Sequence, residues 1–182
     1  GKTFMKLSVA TLKDGENAFA FESMKDGWMK EVVTRVEKQG YRVKSNLKVN
    51  VHLTKLEPDY YLRGRVQFHV DQSCARCADA FELPIDHSFE VALAHVAQDR
   101  VNGVALSEES EELDVNFFEG NEIDLSPLVE EQFFLSIPYQ SLCKGECRGV
   151  CQQCGQNLNA ADCGCIESSA VKPFSVLQTL KV

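Results

Sequence analysis

The sequence predicts an α+β fold, with an antiparallel β-meander or partly closed barrel, a few flanking helices and a cysteine-rich loop near the C-terminus. Three features predict it. Polar and apolar residues alternate along several runs, other runs carry apolar residues at helical spacing, and six of the eight cysteines fall within residues 143–165. Since 182 residues suit one domain, we expect residues 1–138 to form the α+β part. Residues 139–182 would then supply the cysteine-rich loop and a last helix, packed on the same domain.

The N-terminal part of the chain predicts two strands and a helix. Residues 5–12 alternate loosely, as a first strand does, and Phe19 with Phe21 marks a second extended piece. Asp26 suits an N-cap and Gly40 suits a helix end. Between them, apolar residues recur at helical spacing at Trp28, Met29, Val32, Val33 and Val36.

The central part of the chain predicts the meander. Residues 47–54, 62–70 and 81–93 alternate between apolar and polar, and the intervening turns at 57–59 and 74–77 are short. Alternation with a period of two gives each strand one buried and one solvated face. Short connections favour antiparallel pairing of neighbouring strands.

The C-terminal part predicts a loop and two further helices. Residues 108–112 form an acidic loop. A helix with Leu125, Leu128, Val129 and Phe133 on its apolar side would start at Asp124 or Ser126 and end near Pro138. Residues 173–181 predict a short last helix, because proline suits the first helical position.

The net charge of −8 is spread unevenly along the chain. Residues 25–76 carry 11 basic and six acidic residues, whereas residues 77–131 carry one basic residue and 15 acidic ones. Salt screens charges over about 8 to 10 Å, so a polyanion responds to nearby charge more than to the total. The basic segment can therefore face RNA while the acidic segment points elsewhere, although two solvated surfaces explain the distribution equally well.

The cysteines favour a bound metal ion. We expect a cytoplasmic protein, because the chain has no membrane-length apolar stretch and no signal-type N-terminus. The cytoplasm is reducing, so disulfides between these cysteines are disfavoured. Two residues separate Cys151 from Cys154, which a glycine follows, and one residue separates Cys163 from Cys165. These four thiolates suffice for one tetrahedral zinc site, which leaves no position open for water and therefore stabilises a loop without activating a nucleophile.

The remaining cysteines leave alternatives open. Cys143 and Cys147 could replace one pair of zinc ligands, or could join Cys74 and Cys77 in a second site. Cys74 and Cys77 could equally be small buried thiols at a hairpin turn. An iron–sulfur cluster is the alternative to zinc, because thiolate spacing does not separate the two cleanly.

A basic stripe is predicted on the solvated face of the middle strands, at Lys48, His52, Arg63, Arg65 and His69. Lysine and arginine on such a surface contact phosphates without reading sequence. Three tyrosines at strand ends could stack on unpaired bases, but core or rim packing is the favoured role for each: Tyr41, Tyr60 and Tyr61.

The sequence does not predict an enzyme. It contains no phosphate-binding glycine loop, no G-x-S-x-G elbow and no H-E-x-x-H motif, and many of its carboxylates crowd an acidic loop. Thiol–disulfide exchange at Cys151 and Cys154 is a weaker alternative, because a redox pair needs no further cysteines nearby. We expect no membrane partner and no small-molecule substrate.

The order of these motifs resembles the YceD family, bacterial proteins described as large-subunit ribosomal RNA accumulation proteins. Four motifs carry the resemblance together with the C-terminal cysteines: Cys74-Ala75-Arg76-Cys77, Glu122-Ile123-Asp124-Leu125, Asn157-Leu158-Asn159 and Pro173-Phe174. It covers nearly the whole chain and implies a non-catalytic role in the synthesis, processing or stability of large-subunit ribosomal RNA. The implied partner is ribosomal RNA or a pre-ribosomal particle. The alternative is an adaptor that recruits a basic ribosomal protein through the acidic residues 79–131.

Overall fold

A computed structural model of the protein describes residues 5–56, 59–96 and 115–165. The acidic loop predicted at 108–112 and the helix predicted at 173–181 lie outside these residues. In chain order the described elements are β1 (Lys6–Ser8), a 3-10 turn (Val9–Thr11), β2 (Gly15–Glu22), α1 (Gly27–Lys38), β3 (Lys48–Leu56), β4 (Asp59–Ser73), β5 (Ala80–His95), β6 (Val115–Phe118), β7 (Glu122–Asp124) and α2 (Leu125–Ser136).

The main sheet has five strands in the order β2-β3-β4-β5-β6. The first four pair antiparallel in chain order, which confirms the predicted meander, while β6 pairs parallel to β5. The described sheet is therefore mixed and open, with β2 and β6 at its edges, so the fold is α+β without barrel closure. β4 and β5 pair continuously from Tyr60 with Leu93 to Ser73 with Ala80.

Alternation along the strands separates two faces of this sheet. One face packs with α1 and α2 around a core in which the rings of Phe68 and Phe133 stack at 4.4 Å between centroids. The other face, called here the outer face, carries polar and small side chains that lie in neighbouring rows across β2 to β5. Burial of the inner side chains supplies most of the driving force for this two-layer arrangement.

Both helices follow an aspartate, but the two aspartates bond differently. Asp124 accepts a hydrogen bond from the Ser126 amide at 2.9 Å, so it caps α2. Asp26 precedes α1 as predicted, but its carboxylate accepts from the Glu22 amide at 2.7 Å and from no helix amide. It therefore closes the turn between β2 and α1. Gly40, with φ of +98°, stands just after α1 in the left-handed conformation that ends many helices.

The N-terminal strand is shorter than predicted. Only Lys6–Ser8 is extended, and it pairs with β7, which places Leu7 opposite Ile123 in the core. The chain then enters the 3-10 turn, where the Val9 amide donates to the Asn121 carbonyl at 2.9 Å. Conversely, β2 begins at Gly15, four residues before Phe19, and pairs with β3 over its whole length. The first half of β2 has no alternation of apolar residues, so the sequence did not predict it.

Neither helix of the described residues has the length and apolar content needed to cross a lipid bilayer.

Candidate metal centre and nucleic-acid surface

The turn between β4 and β5 contributes to a cluster of four sulfur atoms. Cys74 and Cys77 from this hairpin meet Cys143 and Cys147 from the segment after α2, and we call the four the hairpin tetrad. Their closest Sγ–Sγ distances are 3.6 Å, between Cys74 and Cys147, and 3.7 Å, between Cys77 and Cys143. Three of the four cysteines are buried. A backbone hydrogen bond from Cys143 is the main influence that lowers the pKa of Cys74 to about 6.

The four cysteines predicted as zinc ligands form a second cluster, the tail tetrad: Cys151, Cys154, Cys163 and Cys165. Cys154 and Cys165 are exposed and the other two are half-buried, so this cluster lies at the surface. Glycines with positive φ shape the turns beside the sulfurs, at Gly155 after the first pair and at Gly164 within the second.

Both tetrads fit a single four-coordinate metal ion. Within each tetrad all four sulfur atoms lie within 4.8 Å of one another. Sulfurs placed about 2.3 Å from one zinc ion at tetrahedral corners are about 3.8 Å apart, close to the distances in the hairpin tetrad. All eight cysteines are free thiols, and a disulfide would need sulfurs about 2.05 Å apart. Each tetrad can therefore hold a metal ion.

The thiols of the tail tetrad are unequal as acids. Hydrogen bonds from the backbone amides of Cys154 and Gln153 lower the pKa of Cys151 to about 6. The neighbouring side chains of Cys163 and Cys154 raise the pKa of Cys165 to about 12. Metal-binding thiols must be deprotonated, so an ion entering this tetrad displaces protons and is held less tightly as the pH falls.

The five residues of the predicted basic stripe all lie on the outer face, and each of them faces a carboxylate there. Arg63 contacts Glu90 at 3.2 Å, and two nitrogens of Arg65 donate to both oxygens of Asp86 at 2.5 Å. In the same way His52 contacts Glu16 and His69 contacts Glu82. Lys48 lies opposite the carboxylate of Glu22 on β2, and its charge contributes to lowering the pKa of that group after the larger effects of Lys25 and Asn46.

These pairs make the outer face a surface of alternating charge. The acidic partners on β5 recur every four residues, at Glu82, Asp86 and Glu90, and therefore form a row beside the basic row of β4. A shallow depression of about 630 Å³ lies between β3, β4 and β5, with His52 and Arg63 on its lining.

Sequence reasoning missed an aromatic side chain at one end of the outer face. Phe117 on β6 is 59% exposed and pairs with Ala94 of β5. Two residues earlier on β5, Ala92 pairs with the half-buried Tyr61 of β4, so both rings lie at the same end of the outer face. The sequence Val-Asn-Phe-Phe of β6 is typical of a short buried strand. The exposure of the Phe117 ring is therefore evident only from the pairing of β6 with β5. Tyr60, by contrast, packs in the core against Phe118, as the favoured interpretation predicted.

Tyr41 is half-buried and packs against the edge of the core. Its ring meets Phe133 and Phe134 edge-on, with centroids 5.8 and 5.5 Å apart. Tyr61 alone of the three predicted tyrosines lies on the outer face.

Comparisons with known proteins identify relatives of this chain. The family model described as "Large ribosomal RNA subunit accumulation protein YceD" matches residues 62–181, more than half of the chain, from β4 through both tetrads. The chain is also similar to "Large ribosomal RNA subunit accumulation protein YCED homolog 1, chloroplastic" of Arabidopsis thaliana, with 33% identity over 63 residues. That alignment covers 35% of this chain and 20% of the relative. No solved structure matches the chain.

Proposed function

This chain belongs to the YceD family of large ribosomal RNA subunit accumulation proteins, and we propose that it supports the synthesis, processing or stability of large-subunit ribosomal RNA without catalysing a reaction. The family match over residues 62–181 is the observation that carries this proposal. The curated relative bears the same description, although the chain aligns with only a fifth of its length. The proposed partner is ribosomal RNA or a pre-ribosomal particle.

The cellular part of this proposal is tested by deleting the coding sequence in the source organism. The expected result is a fall in mature large-subunit ribosomal RNA relative to small-subunit ribosomal RNA, restored by the wild-type chain. An unchanged ratio of the two RNAs would contradict the proposed role.

We propose zinc as the metal of the tail tetrad, held by Cys151, Cys154, Cys163 and Cys165. Four thiolates around one ion are a typical structural zinc site. An iron–sulfur cluster with four cysteine ligands places several iron atoms between them. The spacing within 4.8 Å therefore favours a single ion. Elemental analysis of the purified protein tests this, with zinc expected and iron contradicting it.

We propose that RNA contacts the outer face of the sheet. Arg63 and Arg65 are 69% and 55% exposed in their side chains, so they can reach phosphates even while paired to carboxylates. Phe117 and Tyr61 at the end of this face offer rings on which unpaired bases can stack. The acidic row on β5 lowers the attraction for a polyanion, so we expect modest and strongly salt-dependent affinity.

The RNA surface is tested by titrating ribosomal RNA fragments against Arg63→Gln with Arg65→Gln. Each lost phosphate contact to single-stranded RNA lowers the slope of log affinity against log salt by about 0.7, so we expect the slope to fall by about 1.4. Lys30→Gln with Lys38→Gln is the matched control, because it removes the same charge from the exposed side of α1.

Two outcomes would contradict an RNA-binding outer face. Equal slopes for the two double variants would show that the charge on β4 does not contact RNA. If neutralising Glu82, Asp86 and Glu90 abolishes association with pre-ribosomal particles while the arginine variant retains it, the contact is acidic and the partner is a basic protein. That second result would favour the adaptor function.

Thiol–disulfide exchange is the weaker alternative for the cysteines. Each tetrad brings four sulfur atoms together, whereas a redox pair needs only two. Oxidation of one pair would remove two ligands of a site that fits a metal ion. Residence in the cytoplasm, predicted from the lack of a membrane-length apolar stretch and of a signal-type N-terminus, stays a prediction.

A further inference from the structure

The two cysteine tetrads begin with the same backbone turn. The Ala78 amide donates to the Cys74 carbonyl at 2.9 Å, and the Gly155 amide donates to the Cys151 carbonyl at the same distance. Ala78 and Gly155 also share a left-handed conformation, with φ of 61° and 73°. In both turns the amide of the first cysteine donates to the carbonyl five residues later, at 2.9 and 2.8 Å. Two segments 77 positions apart thus present a cysteine pair on one geometry.

The hairpin tetrad is better enclosed than the tail tetrad. Cys74, Cys77 and Cys147 are only 3 to 5% exposed, and Phe81 and Leu142 pack against them. Its two closest sulfur pairs join cysteines that are 73 and 66 positions apart in the sequence. Sulfur atoms held at nearly tetrahedral spacing, in a small apolar shell, are the arrangement that a buried metal ion requires.

Asn159 connects the two tetrads. It lies in the loop between Cys154 and Cys163, yet its side-chain amide donates to the sulfur of Cys147 in the hairpin tetrad at 3.3 Å. Its side-chain oxygen accepts from the Arg148 amide at 2.9 Å. A hydrogen bond to a ligand sulfur stabilises the thiolate and orients it toward a metal.

Further bonds brace the same loop against the hairpin. The side-chain amide of Asn157 donates to the carboxylate of Asp79, which follows the hairpin turn, at 2.6 Å. The Leu158 amide donates to the Gly149 carbonyl at 2.9 Å. A Cβ atom at Gly149 would lie 3.1 Å from the Arg76 carbonyl oxygen, so the segment between the tetrads runs directly against the hairpin.

We propose that the hairpin tetrad is a second zinc site and that Asn159 couples it to the tail tetrad. Filling the hairpin tetrad fixes Cys147 and, through Asn159, the loop that joins both ligand pairs of the tail tetrad. Coupling between sites is reciprocal, so each ion raises the affinity for the other. The tail tetrad, with two exposed cysteines, releases its ion first. The inference concerns metal binding alone and is independent of the ribosomal role.

Stoichiometry and protection of the thiols test the second site. Native mass spectrometry of the zinc-loaded full chain should give two zinc ions, and a chelator should remove them in two steps. Iodoacetamide applied after the first step should modify the four tail-tetrad cysteines and leave the four hairpin-tetrad cysteines protected. One zinc ion per chain, or equal modification of the hairpin cysteines in zinc-loaded and zinc-stripped protein, would overturn the second site.

Variants test the coupling. Asn159→Ala should weaken zinc retention at the hairpin tetrad by about tenfold or more, as loss of a ligand's hydrogen-bond partner does. Asn50→Ala, on the outer face of the sheet, is the matched control and should change neither site. Cys77→Ser should weaken the tail tetrad in the wild-type background but not in Asn159→Ala. If Asn159→Ala behaves like Asn50→Ala, the coupling is absent; circular dichroism checks that each variant is folded.

Discussion

The carboxylate of Asp86 shows how a single residue on the outer face is tuned by its neighbours. Hydrogen bonds from Arg65 and then Gln67 lower its pKa below the usual 3.8. A carboxyl whose pKa is lower in the folded state stabilises the protein above its unfolded pKa, and this contribution is lost as the pH falls through the folded pKa. The stabilisation from Asp86 is therefore lost only in acid, below about pH 4.

We predict that an NMR titration finds the midpoint of Asp86 below 3.8 and that Arg65→Gln raises it toward that value. Lys30→Gln, on the opposite layer, is the control and should leave the midpoint unchanged. A midpoint that Arg65→Gln does not move would show that the paired geometry is not maintained in solution.

Ala78 is the one non-glycine residue with positive φ among the described residues. It occupies the position in the hairpin turn that Gly155 occupies in the matching turn of the tail tetrad. An L side chain in the left-handed region costs about 1 kcal/mol or more. We predict that Ala78→Gly raises the free energy of unfolding by about 0.5 to 1 kcal/mol, measured by urea denaturation in zinc-containing buffer. Ala80→Gly, two residues later in β5, should lower it by a similar amount, because glycine weakens a strand.

If both substitutions at 78 and 80 destabilise equally, the hairpin turn is not under the backbone strain that its φ indicates.

Sequence reasoning at the residue scale located the cysteines but could not pair them. Spacing within 15 residues predicted the tail tetrad, because its ligands are close in sequence. The hairpin tetrad depends on contacts across 66 and 73 residues, which spacing alone cannot distinguish from a turn with buried thiols. Likewise, alternation placed Arg65 on the solvated face, but its partner Asp86 is a diagonal neighbour that only the register of β4 and β5 identifies.

At the scale of elements, β4 and β5 fit together because one residue has no side chain. Gly64 faces the core opposite Phe89, whose ring lies 2.1 Å from the place a Cβ atom would occupy. We predict that Gly64→Ala lowers the free energy of unfolding by about 1 to 3 kcal/mol, as overpacking does. Gly27→Ala is the matched control: nothing lies within 4 Å of its Cβ position, and alanine favours a helix.

A second variant separates crowding from backbone effects. In the background of Phe89→Leu, the added methyl group of Gly64→Ala should cost much less, since the smaller side chain leaves room for it. An equal cost in both backgrounds would contradict the crowding explanation.

Period-two patterns predicted β3, β4 and β5 well because each has a buried face, and helical spacing predicted α1 and α2 for the same reason. Elements without such a pattern were missed or misjudged. β6 pairs in parallel with β5, a pairing that no local sequence pattern indicates. β1 is shortened because the chain turns at Val9–Thr11, where the Val9 amide donates to the Asn121 carbonyl.

At the scale of the whole molecule, the sheet and the tail are held by different forces. The core between the sheet and the helices consists of buried hydrophobic side chains, whereas residues 143–165 contact the sheet chiefly through sulfurs and hydrogen bonds. We predict that chelation leaves the far-ultraviolet circular dichroism nearly unchanged but allows trypsin to cleave after Lys144 and Arg148. Zinc-loaded protein should resist cleavage at these two positions.

Loss of the whole circular dichroism signal on chelation would contradict this division, because it would make the metal necessary for the core. Resistance to trypsin at Lys144 and Arg148 that persists after chelation would also contradict this division, because residues 143–165 would then be ordered without a metal ion.

The separation within the hairpin tetrad also has a consequence for synthesis of the protein. Cys74 leaves the ribosome 73 residues before Cys147, which at 5 to 20 residues per second is a delay of about 4 to 15 s. During that interval the nascent chain displays two thiols of an incomplete site, able to take up copper or to be oxidised. Phe81 packs against this half of the site from β5, whereas Leu142 belongs to the other half, so the two thiols are fully enclosed only after translation has delivered residues 142–147.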